Sequence, residues 1–311
     1  MKIAIAGLGK MGAQIARKLH EDGYAVIAHN RSSGLVNEMK SLGMMPAYTK
    51  EEVINLFNNE RVIIWLMVPS DVVDQELNIW LKLVPKGSIL IDGGNSDFRL
   101  TKTRAELVSK SGSTLMDVGT SGGIWGYKNG FCMMAGGDKE TFKTIEPILK
   151  TLAKPTGAYH HFGESGSGHF VKMTHNAIEY GMMESLAEGY RMLKEGPYKN
   201  LDLAAAGEVW QHHSVITSWL NELTRDALKE NPELSGVEGF VAESGEARWA
   251  LEMAKSLNIE TPAITAAFNV RLESQKGKVN FATKLLAAMR NAFGGHPISP
   301  KASYGAGKIN K

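Results

Sequence analysis

The chain has 311 residues, of which 43% are hydrophobic and 22% are charged. These proportions are typical of globular proteins, and they exclude a disordered, collagen-like or disulfide-rich scaffold protein. The 35 basic and 33 acidic residues leave a net charge of +2, so the overall charge gives no reason to expect a nucleic acid or an acidic membrane as the partner.

Further features of the whole sequence limit the class of protein. Cys132 is the single cysteine, which excludes an intrachain disulfide and a cysteine-based metal cluster. The longest apolar run, residues 62–68, is far shorter than the ~20 residues that span a bilayer. Lys10 interrupts the apolar N-terminus too early for a signal peptide. We therefore expect a cytoplasmic protein, and the length favours two domains.

Apolar runs alternate with amphipathic stretches in the first half of the chain. The apolar runs predict buried strands at residues 3–6, 25–28, 62–68, 88–91 and 114–118. The intervening sequences predict helices at residues 12–22, 34–42, 50–58, 71–83 and 99–110. This alternation predicts an α/β fold with a Rossmann-type, doubly wound parallel sheet at the N-terminus.

After about residue 160, long helical patterns replace the β-branched runs. They predict helices at residues 169–195, 201–210, 214–230, 246–257, 261–273 and 280–293. The Gly- and Ser-rich stretch 163–168 separates the two patterns, so the sequence predicts a first domain over residues 1–165 and an all-α domain over residues 166–311. The tail from Pro297 lacks a periodic apolar face and is expected to be extended or disordered alone.

A glycine-rich turn follows the first predicted strand and opens the first helix. Its residues are Gly7, Leu8, Gly9, Lys10, Met11 and Gly12. In a G-x-G-x-x-G turn the glycines permit a tight turn, close approach of the backbone to a pyrophosphate, and close helix–strand packing. A plain glycine-rich turn is the alternative, but the position in the first βαβ unit favours a dinucleotide-binding site.

The end of the second strand indicates which dinucleotide is bound. NAD-binding domains usually carry an acidic residue about 20 residues after the glycines. Here the sequence contains Asn30, Arg31 and Ser32, with no carboxylate. An arginine beside amide and hydroxyl groups suits a 2′-phosphate through charge-assisted hydrogen bonds, so the sequence favours NADP, with NAD as a weaker alternative. The other interpretation of Arg31 is a solvated loop residue.

Two more loops follow predicted strands at the edge where open α/β sheets bind ligands. The first contains Gly93, Gly94, Asn95 and Ser96, and the second contains Ser121, Gly122 and Gly123. Each loop alone is compatible with an ordinary turn. Together they favour a site for carboxylate or hydroxyl groups.

A polar stripe on the first helix of the second domain is the most informative feature. Lys172, His175, Asn176 and Glu179 follow the i, i+3, i+4, i+7 spacing, which puts them within an arc of about 100° on one face. From Met183 the same stripe becomes apolar and must be buried. A solvated face is the alternative, but a polar cluster at the end of a buried stripe favours a site in which a lysine and a glutamate act as base and acid.

Cationic residues occur near the C-terminus. Arg290 and His296 flank a Gly-Gly break, and Arg271 lies on a mixed helix. A helix end with basic residues is an equally simple interpretation. Because no His or carboxylate spacing resembles a ligand set, the sequence predicts no metal site.

Together these motifs resemble the decarboxylating 6-phosphogluconate dehydrogenase family in its short bacterial-type form, within the β-hydroxyacid dehydrogenase superfamily. The stretch 168–180 is the most specific part. The resemblance implies oxidative decarboxylation of 6-phospho-D-gluconate to D-ribulose 5-phosphate and CO2, with hydride transfer to NADP, in the pentose phosphate pathway. It also implies a homodimer or homotetramer with shared active sites.

The family mechanism implies a role for each matching residue. Lys172 takes the proton of the substrate 3-hydroxyl and later acts as an acid toward the carbonyl oxygen, Glu179 protonates C1 of the enediol, and His175 and Asn176 complete the catalytic group. The cofactor-binding residues are the six of the glycine turn with Asn30, Arg31, Ser32, Met67, Val68, Pro69 and Asn95. The substrate-binding residues are Asn95, Ser121, Gly122, Gly123, His175, Asn176, Tyr180, Arg271, Arg290 and His296. Of these, Arg290 and His296 are expected from a neighbouring subunit.

The sequence departs from the longer family members at two places. They carry a Lys-Gly-Thr-Gly segment that helps to bind the substrate phosphate, whereas the matching stretch here runs from Ser244 to Trp249 and contains Arg248. Ile124 and Trp125 replace an acidic pair. The residues that contact the phosphate are therefore left open.

Two other functions also remain open. One is a non-decarboxylating β-hydroxyacid dehydrogenase, for 3-hydroxyisobutyrate or tartronate semialdehyde. Such an enzyme does not need Glu179, Arg290 or His296. A noncatalytic NADPH-binding protein on the same scaffold typically lacks the catalytic lysine, whereas this chain retains Lys172.

Overall fold

The computed structural model describes residues 1–298. The chain forms two compact units, one spanning Met1–Met173 and the other beginning at Thr174. The division falls within a 29-residue helix, Ser167–Glu195, so this helix contributes residues to both units.

The first unit, in which every residue is described, contains an eight-stranded sheet. In chain order the strands are β1 (Lys2–Ala6), β2 (Ala25–His29), β3 (Met45–Ala47), β4 (Ile63–Leu66), β5 (Ile89–Asp92), β6 (Thr114–Ser121), β7 (Cys132–Gly136) and β8 (Ala158–His161). They lie in the order β3-β2-β1-β4-β5-β6-β7-β8, and neighbours are parallel except for β6 and β7. The carboxyl ends of β1, β4, β5 and β6 therefore lie side by side.

Helices connect these strands. They are α1 (Lys10–Glu21), α2 (Ser33–Ser41), α3 (Lys50–Leu56), α4 (Val73–Trp80), α5 (Phe98–Lys110), α6 (Gly126–Asn129) and α7 (Lys139–Ala153). Both faces of the sheet are buried: Ile3 and Ile5 of β1 belong to one apolar cluster, and Ala4 and Ala6 belong to another. A strand that is buried on both faces requires apolar residues at every position, which explains the continuous apolar runs in the sequence.

The second unit is helical in its described part. Its helices are α8 (Ser167–Glu195, which begins in the first unit), α9 (Leu203–Gln211), α10 (Trp219–Glu230), α11 (Glu246–Ser256), α12 (Pro262–Gln275) and α13 (Phe281–Gly294). Met183 and Tyr190 of α8 are fully buried in a cluster with Leu285 and Leu286 of α13. Among residues 1–298, no helix has both the length and the hydropathy needed to cross a bilayer.

The structure confirms the predicted fold class, an N-terminal Rossmann-type sheet followed by helices. The five predicted strands all form, but the sequence patterns do not predict β3, β7 and β8. The short β3 contains Pro46, and β8 includes His160 and His161, so neither is a continuous apolar run. Beyond its first two residues, the tail predicted to be extended or disordered lies outside the described residues.

Candidate active site

The glycine-rich turn between β1 and α1 has the geometry of a pyrophosphate site. Gly7 has a φ of +106°, a conformation that side chains disfavour, and a Cβ at Gly12 would overlap the Gly7 carbonyl oxygen. By contrast, a Cβ at Gly9 would meet no protein atom within 4 Å. Helix α1 begins next to Gly9 without a side-chain cap. The turn therefore fits the pyrophosphate of a dinucleotide, with open space beside a helix N-terminus.

The segment after β2 is tied to this turn by Asn30. Its Oδ1 accepts a hydrogen bond from the backbone N–H of Leu8 at 3.1 Å, and its Nδ2 donates to the carbonyl oxygen of Ser32 at 3.4 Å. Arg31 and Ser32 are exposed. The sequence prediction groups Asn30 with Arg31 as a ligand residue, whereas the side-chain hydrogen bonds of Asn30 go to the protein. Asn30 therefore sets the position of the Arg31 loop relative to the turn.

The loop after β5 is held by a buried carboxylate. Asp92 is 1% exposed, and its two oxygens accept hydrogen bonds from the backbone N–H of Gly94 at 3.2 Å and the hydroxyl of Ser96 at 2.7 Å. Asn95, between these two residues, is exposed. The carboxyl end of the neighbouring strand β4 leads into Met67, Val68 and Pro69. The predicted residues Asn95 and Met67 thus follow adjacent strands at one edge of the sheet.

The first turn of α8 is fastened to β6 by Asp117. Both of its carboxylate oxygens accept backbone hydrogen bonds, one from Gly166 at 2.8 Å and the other from His169 at 2.9 Å. One turn further along α8, Lys172 is 5% exposed and packs its Cβ and Cγ on Gly119 of β6. The position of the Lys172 side chain is therefore set by β6 and by the Asp117 hydrogen bonds.

The Ser-Gly-Gly loop leaves the carboxyl end of the same strand. Ser121 is the last residue of β6, and Gly122 and Gly123 have φ values of +132° and +51°. A Cβ at Gly122 would also come within 3.2 Å of the Phe131 ring. The two glycines are therefore required by the turn itself, and Ser121 supplies the polar side chain of this loop.

In the second unit, Asn176 links α8 to α11. Asn176 is 9% exposed, its Nδ2 donates a hydrogen bond to Oε1 of Glu246 at 3.0 Å, and its Oδ1 lies 2.9 Å from Nδ1 of His175. Glu179, almost one turn further, is partly buried. The predicted polar stripe is therefore not a solvated face.

Two buried arginines lie near Tyr180. Arg271 is 2% exposed, and its guanidinium carbon lies 3.2 Å from the centroid of the Tyr180 ring. Arg290 is 7% exposed, and among residues 1–298 neither guanidinium has a carboxylate oxygen within 4 Å. Burial is the main cause that lowers the pKa of Arg271 to about 10, and the charge of Arg290 acts in the same direction. Two buried cations without a carboxylate partner can hold an anion such as phosphate.

The structure places Arg290 and His296 at the end of the same chain. The ring of His296 lies 6.1 Å from that of Phe293, beyond the end of α13. The resemblance implies that a neighbouring subunit supplies Arg290 and His296. Within one chain, Arg290 is close enough to Arg271 for the two charges to interact, and the contribution of a neighbouring subunit stays a prediction.

The sequence patterns assign no role to three buried carboxylates that bond to residues of the candidate site or to its loops: Asp92, Asp117 and Glu246. Their partners are set by the fold, since Gly166 is 49 residues from Asp117 and Asn176 is 70 residues from Glu246. An acidic residue inside an apolar strand pattern is a weak signal for the two aspartates, and no pattern indicates Glu246. Within residues 1–298, no group of His, Cys, Asp and Glu side chains could hold a metal ion.

Glu184 is a buried carboxyl group on α8 that predicts a pH-dependent stability. Burial, with a contribution from Glu188, raises the pKa of Glu184 to about 7. Because the folded protein then holds this proton more tightly than the unfolded chain, the free energy of unfolding should fall as the pH rises from about 4.5 through 7. We expect Glu184→Gln to be more stable than wild type by ~1–3 kcal/mol at pH 8 but not at pH 4.5, measured by urea unfolding. A difference that is equal at both pH values would contradict this.

Two sequence profiles match most of the chain. Residues 2–163 match the profile described as the NAD binding domain of 6-phosphogluconate dehydrogenase. Residues 168–291 match the profile described as the C-terminal domain of 6-phosphogluconate dehydrogenase. The boundary between the two matches lies at the start of α8.

Curated relatives with the same family name extend over nearly the whole chain. A Bacillus subtilis protein, YqeC, which is named only provisionally as a 6-phosphogluconate dehydrogenase, is 38% identical over 97% of this chain and 100% of its own length. An NAD(+)-dependent, decarboxylating 6-phosphogluconate dehydrogenase of Haloferax volcanii is 33% identical over 97% of this chain and 99% of its own length. The decarboxylating enzyme 1 of Spinacia oleracea is 32% identical over 88% of this chain, which spans 60% of that longer protein.

Solved structures show the same architecture. The 6-phosphogluconate dehydrogenase of Plasmodium falciparum has a TM-score of 0.80 and 25% identity, covering 93% of this chain and 70% of that one. A 3-hydroxyisobutyrate dehydrogenase of Mycobacterium tuberculosis has a TM-score of 0.71 over 93% of this chain and 99% of that one, but at 18% identity it shows the fold alone. From the profiles and the curated relatives, the chain belongs to the 6-phosphogluconate dehydrogenase family.

Proposed function

We propose that this protein catalyses the NADP-linked oxidative decarboxylation of 6-phospho-D-gluconate to D-ribulose 5-phosphate and CO2. The observation that carries the proposal is the pair of buried arginines, Arg271 and Arg290, beside Tyr180 on the helix that bears Glu179. A phosphate group supplies the direct anionic partner that neither guanidinium has within 4 Å in the described chain. The names of the Haloferax and Spinacia relatives include decarboxylation, which supports the same reaction.

The proposed reaction assigns proton transfers to Lys172 and Glu179. Lys172 accepts the proton of the 3-hydroxyl while C3 loses a hydride, for which NADP bound at the glycine turn would supply the acceptor. The resulting 3-keto acid loses CO2 while Lys172 returns a proton to the carbonyl oxygen. Glu179 then protonates C1 of the enediol, and Lys172 takes back the hydroxyl proton as the C2 ketone of ribulose 5-phosphate forms. The two residues lie on one face of α8, where seven residues rise about 10.5 Å, so their side chains can reach the two ends of a three-carbon fragment.

Steady-state assays that follow NADPH formation and CO2 release together test this function. We expect equal amounts of both products from 6-phosphogluconate, and no comparable rate with gluconate, 3-hydroxyisobutyrate or glycerate, the hydroxy acid that is oxidised to tartronate semialdehyde. NADPH formation without CO2 release would support a non-decarboxylating hydroxyacid dehydrogenase instead. Cofactor binding without turnover of any of these acids would support a noncatalytic NADPH-binding protein.

Arg31 is the proposed determinant of the preference for NADP over NAD. It is exposed at the end of β2, in a loop that Asn30 fixes to the glycine turn. Because only NADP carries a 2′-phosphate, Arg31→Ala should lower kcat/KM for NADP by roughly ten- to a hundredfold and leave that for NAD within about twofold. Arg61→Ala, at another exposed arginine of the same unit, is the matched control. An unchanged ratio of the two kcat/KM values would show that Arg31 does not determine the preference for NADP over NAD.

We further propose that the protein is a homodimer or homotetramer. Apolar side chains near the end of α9 and the start of α10 are exposed in the single chain: Val209 is 70% exposed, Ile216 43% and Trp219 43%. Several exposed apolar residues within a short stretch of chain favour a protein–protein interface over a solvated surface. Sedimentation equilibrium measures the number of subunits directly.

A further inference from the structure

Glu246 is a buried carboxylate with one oxygen that has no hydrogen-bond partner. It is the first residue of α11 and is 3% exposed. Its Oε1 accepts the hydrogen bond from Nδ2 of Asn176 at 3.0 Å, whereas its Oε2 is shielded from solvent and has no hydrogen-bond partner among the described residues. A buried acceptor without a donor is unfavourable, so this oxygen requires a donor from outside the described chain.

The neighbouring groups do not provide that donor. The backbone N–H of Gly245 donates instead to Oε2 of Glu243. Burial lowers the pKa of Arg290, and the charge of Glu246 is near enough to oppose that shift, but the two side chains form no ion pair within 4 Å. Glu246 is therefore neither an ordinary helix cap nor the ion-pair partner of this arginine.

The position of Glu246 points to the substrate. It is bonded to Asn176, which lies between His175 and Glu179 on the polar face of α8, and Arg290 interacts electrostatically with both glutamates. The low solvent exposure of Glu246 does not distinguish it from the other residues of the candidate site, because Asn176 is 9% exposed and Arg290 is 7% exposed. A substrate that reaches those residues also comes within reach of Glu246.

The charge of Glu246 limits which part of the substrate it can contact. A carboxylate repels a phosphate or a second carboxylate, but it accepts a strong hydrogen bond from a hydroxyl group. 6-Phosphogluconate carries hydroxyls at C2, C4 and C5 besides the reacting one at C3. Resting on the proposed function, we propose that Oε2 of Glu246 accepts a hydrogen bond from one of these three hydroxyls and so helps to select a polyhydroxy acid as the substrate.

Glu246→Gln is a sharp test because it alters one atom of this arrangement. The glutamine oxygen can still accept from Asn176, while its NH2 group replaces the unpartnered acceptor with a donor. We expect kcat/KM for 6-phosphogluconate to fall by roughly ten- to a hundredfold, mainly through KM, with the KM for NADP unchanged. Glu252→Gln, at an exposed position of the same helix, is the matched control and should match wild type.

Monodeoxy analogues identify the hydroxyl. With wild type, removing the hydroxyl at C2, C4 or C5 in turn should show one position whose loss lowers kcat/KM by about tenfold or more. With Glu246→Ala, that loss should shrink to about twofold at the same position and stay unchanged at the others. Equal losses in wild type and variant at all three positions would overturn the inference, and so would a Glu246→Gln variant with wild-type KM.

Two measurements distinguish a substrate contact from a purely structural role of Glu246. A variant that is less stable in urea unfolding but has the KM of wild type would show a structural role for Glu246 and overturn the inference. Calorimetric binding of 6-phosphogluconate to wild type tests the proposed function independently. If wild type neither binds nor oxidises 6-phosphogluconate, the proposed function fails, whereas wild-type activity with an unaltered Glu246→Gln variant means that the inference alone fails.

Discussion

Replacement of Lys172 by methionine is expected to lower turnover of 6-phosphogluconate by a factor on the order of 10³ to 10⁴, because the proposed reaction loses its general base. Methionine has a similar length and keeps the packing of Cβ and Cγ on Gly119, so the fold should persist. The kcat is measured from NADPH absorbance at saturating substrate. The Kd for NADPH, measured by fluorescence, should change by less than about threefold.

A lysine at the other end of α8 provides the control. Lys194 forms an exposed ion pair with Glu233, and pairs of this kind contribute little to stability. Lys194→Met should therefore retain the kcat of wild type. A Lys172→Met enzyme that keeps more than about a tenth of the wild-type kcat would show that another group removes the proton of the 3-hydroxyl.

The polar stripe of α8 could be predicted because helical periodicity is a local property. Four polar residues at i, i+3, i+4 and i+7 must share a face once the segment is helical, and the burial of Met183 further along shows which face turns inward. In the structure Lys172 and Asn176 are buried and Glu179 is partly buried. The spacing alone does not reveal what lies opposite each residue.

The supporting groups could not be predicted, because their contacts join distant parts of the chain. In the sequence, Asp117 is a single acidic residue within an apolar strand. Only the fold brings the backbone N–H groups of Gly166 and His169 to its two carboxylate oxygens. The contact of Asn30 with a ligand stays a prediction, whereas the hydrogen bond that its Oδ1 accepts from Leu8, 22 residues earlier in the chain, is a contact that no local pattern indicates. The roles of such residues depend on loop geometry, which local patterns do not determine.

The strands of the sheet also differ in whether local sequence patterns predict them or whether they depend on contacts between distant parts of the chain. The central strands are buried on both faces, and their apolar runs identify them. The sheet is completed by β7, which is antiparallel to β6 and parallel to β8. The pairing of β7 and β8 at that edge of the sheet depends on tertiary contacts with α7 and β6. The half-exposed β8 contains no apolar run, so the sequence pattern does not identify it as a strand.

Gly119→Ala is expected to reduce kcat by about a hundredfold through the position of Lys172. An added Cβ on Gly119 would overlap the Cβ of Lys172 and come within 2.8 Å of its Cγ. These atoms lie next to the helix backbone, so the first turns of α8 must shift, and the hydrogen bonds of Asp117 to that region resist the shift. A displacement of about 1 Å at a catalytic group can cost roughly a hundredfold in rate. The kcat with 6-phosphogluconate is the measurement, and overpacking should also lower the free energy of unfolding by ~1–3 kcal/mol.

The controls for this substitution separate displacement of the lysine from general damage. Gly181→Ala adds the same methyl group to α8, where no neighbouring atom lies within 4 Å, and it should keep the kcat of wild type. The Gly119→Ala enzyme should bind NADPH with the Kd of wild type, because the glycine turn and the Arg31 loop belong to other strands of the sheet. If kcat is unchanged while the free energy of unfolding falls, the role of Gly119 is only to avoid overpacking against the side chain of Lys172. If kcat falls and NADPH binding persists, the contact between Gly119 and Lys172 positions the proposed base, because the retained NADPH binding excludes a loss of the folded cofactor site.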